Sequence, residues 1–242
     1  QFMLDAEPDG YTVLCSATGP VVIKPHLGYG NYTLDDFSPI IRISTAPMLF
    51  VVPADSEFDT IQEWEEYVRQ NPGEWTMASG GLGNTPHVAM VQYLKAAGIY
   101  DMVKYVPYQG SSPARTDFFG GHVDSFISSA QTLYQYRDRV KILLNLGTVS
   151  TSYFEDATTL ADLGYGGMET DAWFGILGHS AMSPERVTVI HDAVRSIMDD
   201  PDAQEDFARL GVVTNYQDPD EFAEYLEQEW QLYEEAIAEL GL

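Results

Sequence analysis

The strongest constraint on the fold is a unit that occurs twice in the middle of the chain. An apolar strand runs into a loop of small polar residues, and that loop opens a helix. In the first copy, Trp75-Thr76-Met77-Ala78 leads into Ser79-Gly80-Gly81-Leu82-Gly83-Asn84-Thr85-Pro86-His87, with a helix expected from Thr85 to Ala97. In the second, Val103 to Val106 leads into Pro107-Tyr108-Gln109-Gly110-Ser111-Ser112-Pro113-Ala114, with Ser112 expected as N-cap and Pro113 as the first helical residue. A strand that feeds a helix and is followed by another strand calls for a mostly parallel sheet, hence an α/β fold. The loops at the helix starts present backbone N–H groups that no earlier turn can satisfy, which suits them to an anion. No set of catalytic side chains lies near them, which suggests a site that grips rather than reacts.

The rest of the chain fits this frame. Tyr11 to Cys15 reads as a buried strand that runs out into the small polar loop Ser16-Ala17-Thr18-Gly19-Pro20, and Met48 to Val52 reads as a continuous apolar strand. Thr60 and Glu63 have capping-box spacing for a helix to about Gln70, ended by Asn71-Pro72-Gly73. Val123–Ile127, Ile142–Leu146 and Trp173–Leu177 are strand-like. Beyond them the pattern turns helical. Ser183-Pro184 opens a helix with Val187, Ile190, Val194 and Ile197 on one face, and Asp218-Pro219 opens one with Phe222, Leu226, Trp230, Tyr233 and Ile237 as core positions.

Charge narrows the partners. With 37 acidic and 12 basic residues the net charge is −25, which excludes nucleic acid and anionic membranes as natural partners. The only lysines are Lys24, Lys95, Lys104 and Lys141. An acidic, lysine-poor surface on a well-patterned core is expected of a protein working in concentrated salt; the alternative is an ordinary acidic mesophile. The one cysteine, Cys15, lies in an apolar run and reads as a buried structural thiol. No Cys/His cluster calls for a metal, and no cofactor is expected. No segment approaches the ~20 apolar residues that span a bilayer, and Gln1-Phe2-Met3-Leu4 does not read as a signal peptide.

Enzyme motifs are missing from the loops. Ser79 follows Met77-Ala78, so there is no G-x-S-x-G elbow, and the glycine loop lacks both the Gly-Lys-Ser/Thr ending of a nucleotide-phosphate loop and the G-x-G-x-x-G pattern. The five histidines (His26, His87, His122, His179, His191) are scattered. His87 reads as a packing or capping residue, Asp117 as a helix-surface acid and Asp124 as the polar end of a turn. Taken singly, each glycine loop could be only a tight strand-to-helix turn. Its N–H groups could equally hold a carboxylate, aided by the helix dipole and the hydroxyls of Ser79 and Thr85.

The order of motifs resembles one family. Pro8-Asp9-Gly10-Tyr11-Thr12, Asp35-Asp36-Phe37-Ser38-Pro39-Ile40, Asn71 through Ser79, Val106-Pro107-Tyr108-Gln109-Gly110, Asp117 with Gly120-Gly121-His122-Val123-Asp124, and Trp173-Phe174-Gly175 resemble successive signatures of the tripartite tricarboxylate transporter solute-binding (Bug) proteins. The resemblance covers essentially the whole chain. It implies a periplasmic-binding-protein-like (type II) two-lobe α/β fold with a small organic mono- or dicarboxylate in a cleft between lobes, a periplasmic or extracytoplasmic location, and delivery to the membrane subunits of a transporter. The expected form is a monomer. Carried over, lobe one comprises 1–50 and 173–242 and lobe two 51–172.

The residues implied to bind ligand are Ser16, Ala17, Thr18, Ser79, Gly80, Gly81, Gly83, Asn84, Thr85, Tyr108, Gly110, Ser111, Ser112 and Ser128. Two departures stand out. Members begin with an extra strand and a glycine-rich loop before the Asp-Gly-Tyr-Thr motif, so a first βαβ piece of lobe one is expected to be missing here. Where members often carry an aspartate after the Gly-Gly-x-Val-Asp strand, this chain has Ser128-Ser129, which favours an amine-free carboxylate. Two rival functions are a serine hydrolase using Ser79 or Ser111, and an extracytoplasmic sensor lobe on the same fold.

Overall fold

The computed structural model describes residues 2–151 and 153–241; Gln1 and Leu242, the ends of the expected lobe one, and Ser152 lie outside the described residues. In chain order the elements are β1 (Leu14–Ala17), a single π-helical segment (Gly19–Ile23), α1 (Lys24–His26), β2 (Phe37–Pro53), α2 (Ile61–Gln70), β3 (Trp75–Ser79), α3 (Thr85–Ala96), β4 (Val103–Pro107), α4 (Ser111–Phe119), β5 (Ser125–Ser129), α5 (Ala130–Tyr134), β6 (Val140–Asn145), β7 (Asp171–His179), α6 (Pro184–Met198), α7 (Pro201–Arg209), β8 (Val213–Gln217) and α8 (Pro219–Leu240). The chain divides into two compact units, Gln1–Thr45 with Ala172–Leu242 (lobe one) and Ala46–Asp171 (lobe two).

Lobe two is built on five strands in the order β6-β2-β5-β3-β4. β3 is parallel to both β4 and β5, while β2 is antiparallel to β5 and β6. The expectation of a mostly parallel sheet holds here for β3, β4, β5 and β6, which share one direction; β2, arriving from lobe one, is the exception, inserted against the direction of its neighbours. Alternate residues of β2 face opposite layers. Phe50 packs on Trp64 of α2, 4.7 Å between ring centres, and Trp64 meets Trp75 and Tyr93. Leu49 and Val51 join Ala78, Phe118, Phe126 and Leu133 under α4 and α5. Helices thus cover both faces, the arrangement that buries a sheet with apolar residues on each side. The start of α2 is set locally: Glu63 N–H donates to Thr60 Oγ1 (3.2 Å) and Thr60 N–H to Glu63 Oε2 (3.1 Å), the reciprocal bonds that the spacing predicts.

Lobe one has the order β1-β7-β2-β8, with β1 antiparallel to β7 and the first half of β2 antiparallel to β8. Its core gathers Ile40, Ile41, Ile176, Met182 and Met198, and Trp173 meets Phe222 of α8 edge to face. Four expectations change here. Strand β1 begins only at Leu14, and Tyr11 is 86% exposed. Cys15 is exposed rather than buried. On α6 the inward position at the last turn is Met198, and Ile197 is 57% exposed, so the apolar stripe drifts by one residue from the pattern. The stretch after α6 is not wholly helical: β8 intervenes, a polar strand that exists because the edge of β2 offers it a partner.

Candidate functional site

Three parallel strands of lobe two, β5, β3 and β4, end along one edge of the sheet, and α5, α3 and α4 begin there. In open α/β sheets this edge collects helix N-termini and is where ligands bind. The two glycine-bearing loops meet at it. Gly110 N–H donates to the Gly80 carbonyl at 3.0 Å. A Cβ on residue 80 would lie 2.6 Å from Ser111 Oγ, 3.1 Å from Asn84 Nδ2 and 3.1 Å from Ser111 N, so glycine there lets these polar groups converge. Gly81 has φ +127°, and its Cα hydrogen side abuts the Tyr108 carbonyl.

The two helix starts differ. Asn84 caps α3: its Oδ1 accepts from His87 N–H at 3.0 Å. Gly110, not Ser112, occupies the cap of α4, and α4 has no side-chain cap; Ser111 is its first residue. The helix begins earlier than Ser112-Pro113 suggested because Gly110, at φ +114°, makes the sharp turn out of β4 by itself. Among the described residues, the first-turn donors of α4 consequently have no side-chain cap.

Several polar side chains in these loops already have partners. Ser79 is fully buried and its Oγ bonds Tyr105 Oη at 2.9 Å, so this hydroxyl ties β3 to β4. Tyr108 Oη donates to Asp117 Oδ2 at 2.7 Å; burial first, then this carboxylate, pushes the phenol up to about 12, and it stays protonated at neutral pH. Asp124 accepts from Thr76 N–H (2.7 Å) and Thr76 Oγ1 (2.5 Å), tying the start of β5 to β3. Thr85 and Ser128 are buried, Ser128 on β5 opposite Leu49, while Ser112 is exposed. Ser129 caps α5 by accepting from Thr132 N–H. Tyr105 is a contributor that sequence reasoning missed, since an aromatic in a strand carries no local signal of its partner.

On lobe one, Ser16 and Ala17 lie in β1 opposite Gly175 and Phe174. They line a cavity of about 400 Å³ with Cys15, Ile43, Phe174 and Ile176. Thr18 is fully buried, and its Oγ1 accepts from Trp173 N–H at 3.0 Å, stitching β7 to the turn after β1. Among the described residues no group of His, Cys, Asp and Glu could hold a metal ion, and no helix is long and apolar enough to cross a membrane.

The family model described as the tripartite tricarboxylate transporter family receptor, TctC, matches residues 1–242. The chain belongs to this family. A relative from Cupriavidus necator, named as the UPF0065 protein in the gbd 5′ region, is 30% identical over all of this chain and 73% of its own length. Among solved structures, an R. palustris protein described with adipate aligns with a TM-score of 0.88 at 22% identity, over 99% of this chain and 81% of that one. MatC from Rhodopseudomonas palustris, with bound malate, aligns at 0.84 and 20% identity, over 98% and 82%. The two-lobe α/β fold of TctC solute-binding proteins is thereby shared. As a TctC receptor the chain is a solute-binding protein and not an enzyme, which removes the hydrolase reading; Ser79, one of its two candidate nucleophiles beside Ser111, is engaged with a tyrosine.

Proposed function

We propose that this TctC receptor captures a small organic mono- or dicarboxylate on the periplasmic side of a membrane and delivers it to the membrane subunits of a tripartite transporter. On lobe two the proposed ligand residues are Ser79, Gly80, Gly81, Gly83, Asn84, Thr85, Tyr108, Gly110–Ser112 and Ser128; on lobe one they are Ser16, Ala17 and Thr18. The observation that carries the reading is the uncapped N-terminus of α4 beside the Gly80–Gly83 loop, joined through Gly110 and Gly80. The loops contain no lysine or arginine, so backbone N–H groups and hydroxyls would carry anion recognition, directly or through water. Two fold neighbours, one described with adipate and one with bound malate, support the ligand class. The net charge of −25 supports operation in concentrated salt, where self-repulsion is screened.

A zwitterionic amino acid would need an acceptor for its ammonium group, and Ser128 offers only a neutral hydroxyl there. Calorimetry with malate, succinate and adipate against aspartate tests the reading. The amine-free acids are expected to bind at least about tenfold more tightly, a difference of ~1.4 kcal/mol. Tighter binding of aspartate would overturn the assignment at Ser128, and no binding of any of the four would overturn the ligand class.

A further inference from the structure

One buried group beside the glycine loop is not accounted for by ligand contact. His87, in the first turn of α3, is 5% exposed. Its Nδ1 lies 3.4 Å from Gly83 N, and its ring packs against Tyr105 with centroids 4.9 Å apart. Since Gly83 N–H is the donor, Nδ1 must carry a lone pair, and the single ring proton of the neutral form must sit on Nε2. The same residue's backbone N–H is held by Asn84 Oδ1, and Tyr105 continues the chain of contacts to Ser79. Ring and backbone together therefore grip the loop at its far end, while Ser79 and Gly80 anchor its near end. What they hold is a segment with glycine at 80, 81 and 83, two of them at positive φ, which has little intrinsic preference for one conformation.

We infer that His87 is a positioning residue, whose neutral imidazole fixes the Gly80–Gly83 loop in its ligand-ready shape before ligand arrives. The functional half of this inference rests on the carboxylate-binding reading above. Burial drops the imidazole to about 4. The titratable group packed on the ring is Tyr105 from β4, and the neighbours within the loop, Gly83 and Asn84, are uncharged. The grip accordingly holds at neutral pH and is released in acid.

Two variants separate positioning from packing. His87→Asn places Oδ1 where Nδ1 stood and can still accept from Gly83, whereas His87→Phe keeps the ring on Tyr105 but accepts nothing. The readouts are the protection factor of the Gly83 amide by NMR hydrogen exchange in ligand-free protein, and Kd for malate and adipate. In His87→Phe, protection and affinity are each expected to fall about tenfold, the loss of one buried hydrogen bond; His87→Asn restores both. In the wild type, Gly83 protection falls as pH drops through about 4, and the ratio of wild-type to His87→Asn affinity follows it, with the ligand's own ionisation cancelling. The wild-type titration decides the matter even if His87→Phe does not fold. Unchanged Gly83 protection in acid, or equal loss in the Asn and Phe variants, would overturn the inference. If Gly83 responds as expected but wild type binds neither acid, the positioning role stands and the carboxylate reading fails.

Discussion

Replacing Gly81 by alanine tests whether the two loops of lobe two meet as rigidly as their geometry implies. Two penalties add. Residue 81 has φ +127°, a conformation that costs an L-residue ~1–3 kcal/mol. A Cβ there would also stand 2.6 Å from the Tyr108 carbonyl oxygen, where real contacts stay beyond 3.0 Å. The obstacle is backbone, and its loop is tethered by the Gly110–Gly80 hydrogen bond, so no side-chain rotation can relieve it. Forcing apart packed backbone costs a further ~1–3 kcal/mol by analogy with overpacked cores. The sum, about 2–6 kcal/mol, corresponds to a fall in Tm of roughly 6–18 °C for lobe two. Gly121→Ala is the control: φ is +73° there, but nothing lies within 4 Å of the added methyl. It should cost only the strain, about 1–2 kcal/mol. Thermal and urea melts of both variants, with calorimetry for malate, provide the comparison. Equal destabilisation by the two, or a Gly81→Ala protein with wild-type Tm and affinity, would refute the argument that loop contact rather than backbone strain makes residue 81 special.

His87 also predicts the acid limb of stability. Its folded-state value of about 4 lies below the ordinary 6.5, so the unfolded chain takes up the proton first. Stability is then whole above pH 6.5, declines as pH falls toward 4, and loses about 3 kcal/mol from this group by that point. Urea midpoints of His87→Asn should decline less steeply over that window, and identical slopes would contradict the assignment. Asp124→Ala should destabilise lobe two by about 1–3 kcal/mol in chemical denaturation, because the partly buried Thr76 N–H loses its acceptor; a change within error would show that water replaces the carboxylate. Finally, Tm should rise between about 0.05 M and about 2 M salt, as the Debye length shrinks toward ~3 Å and the repulsion among carboxylates fades. Equal stability at both ends would argue against adaptation to salt.

The features legible in the sequence are those whose physics is local. The Thr60–Glu63 box, Pro184 and Pro219 at helix starts, and the apolar runs of β3, β4 and β7 mark elements within a few residues of where the structure has them. Caps, turns and periodicity are decided by neighbours in the chain, so they can be read there. The small polar runs likewise marked the two loops of lobe two as places with donors to spare. Tertiary structure decided the rest. Only pairing reveals that β2 slots between β5 and β6 against their direction, or that polar Val213–Gln217 is a strand at all. Only the meeting of Gly80 with Gly110 brings the loops together, and only the approach of β4 spends the Ser79 hydroxyl on Tyr105. His87 reads as a packing or capping residue until its Nδ1 is seen facing Gly83. Each of these depends on which distant group occupies the space beside a residue. That choice is set by the packing of the whole lobe, and no window of sequence contains it.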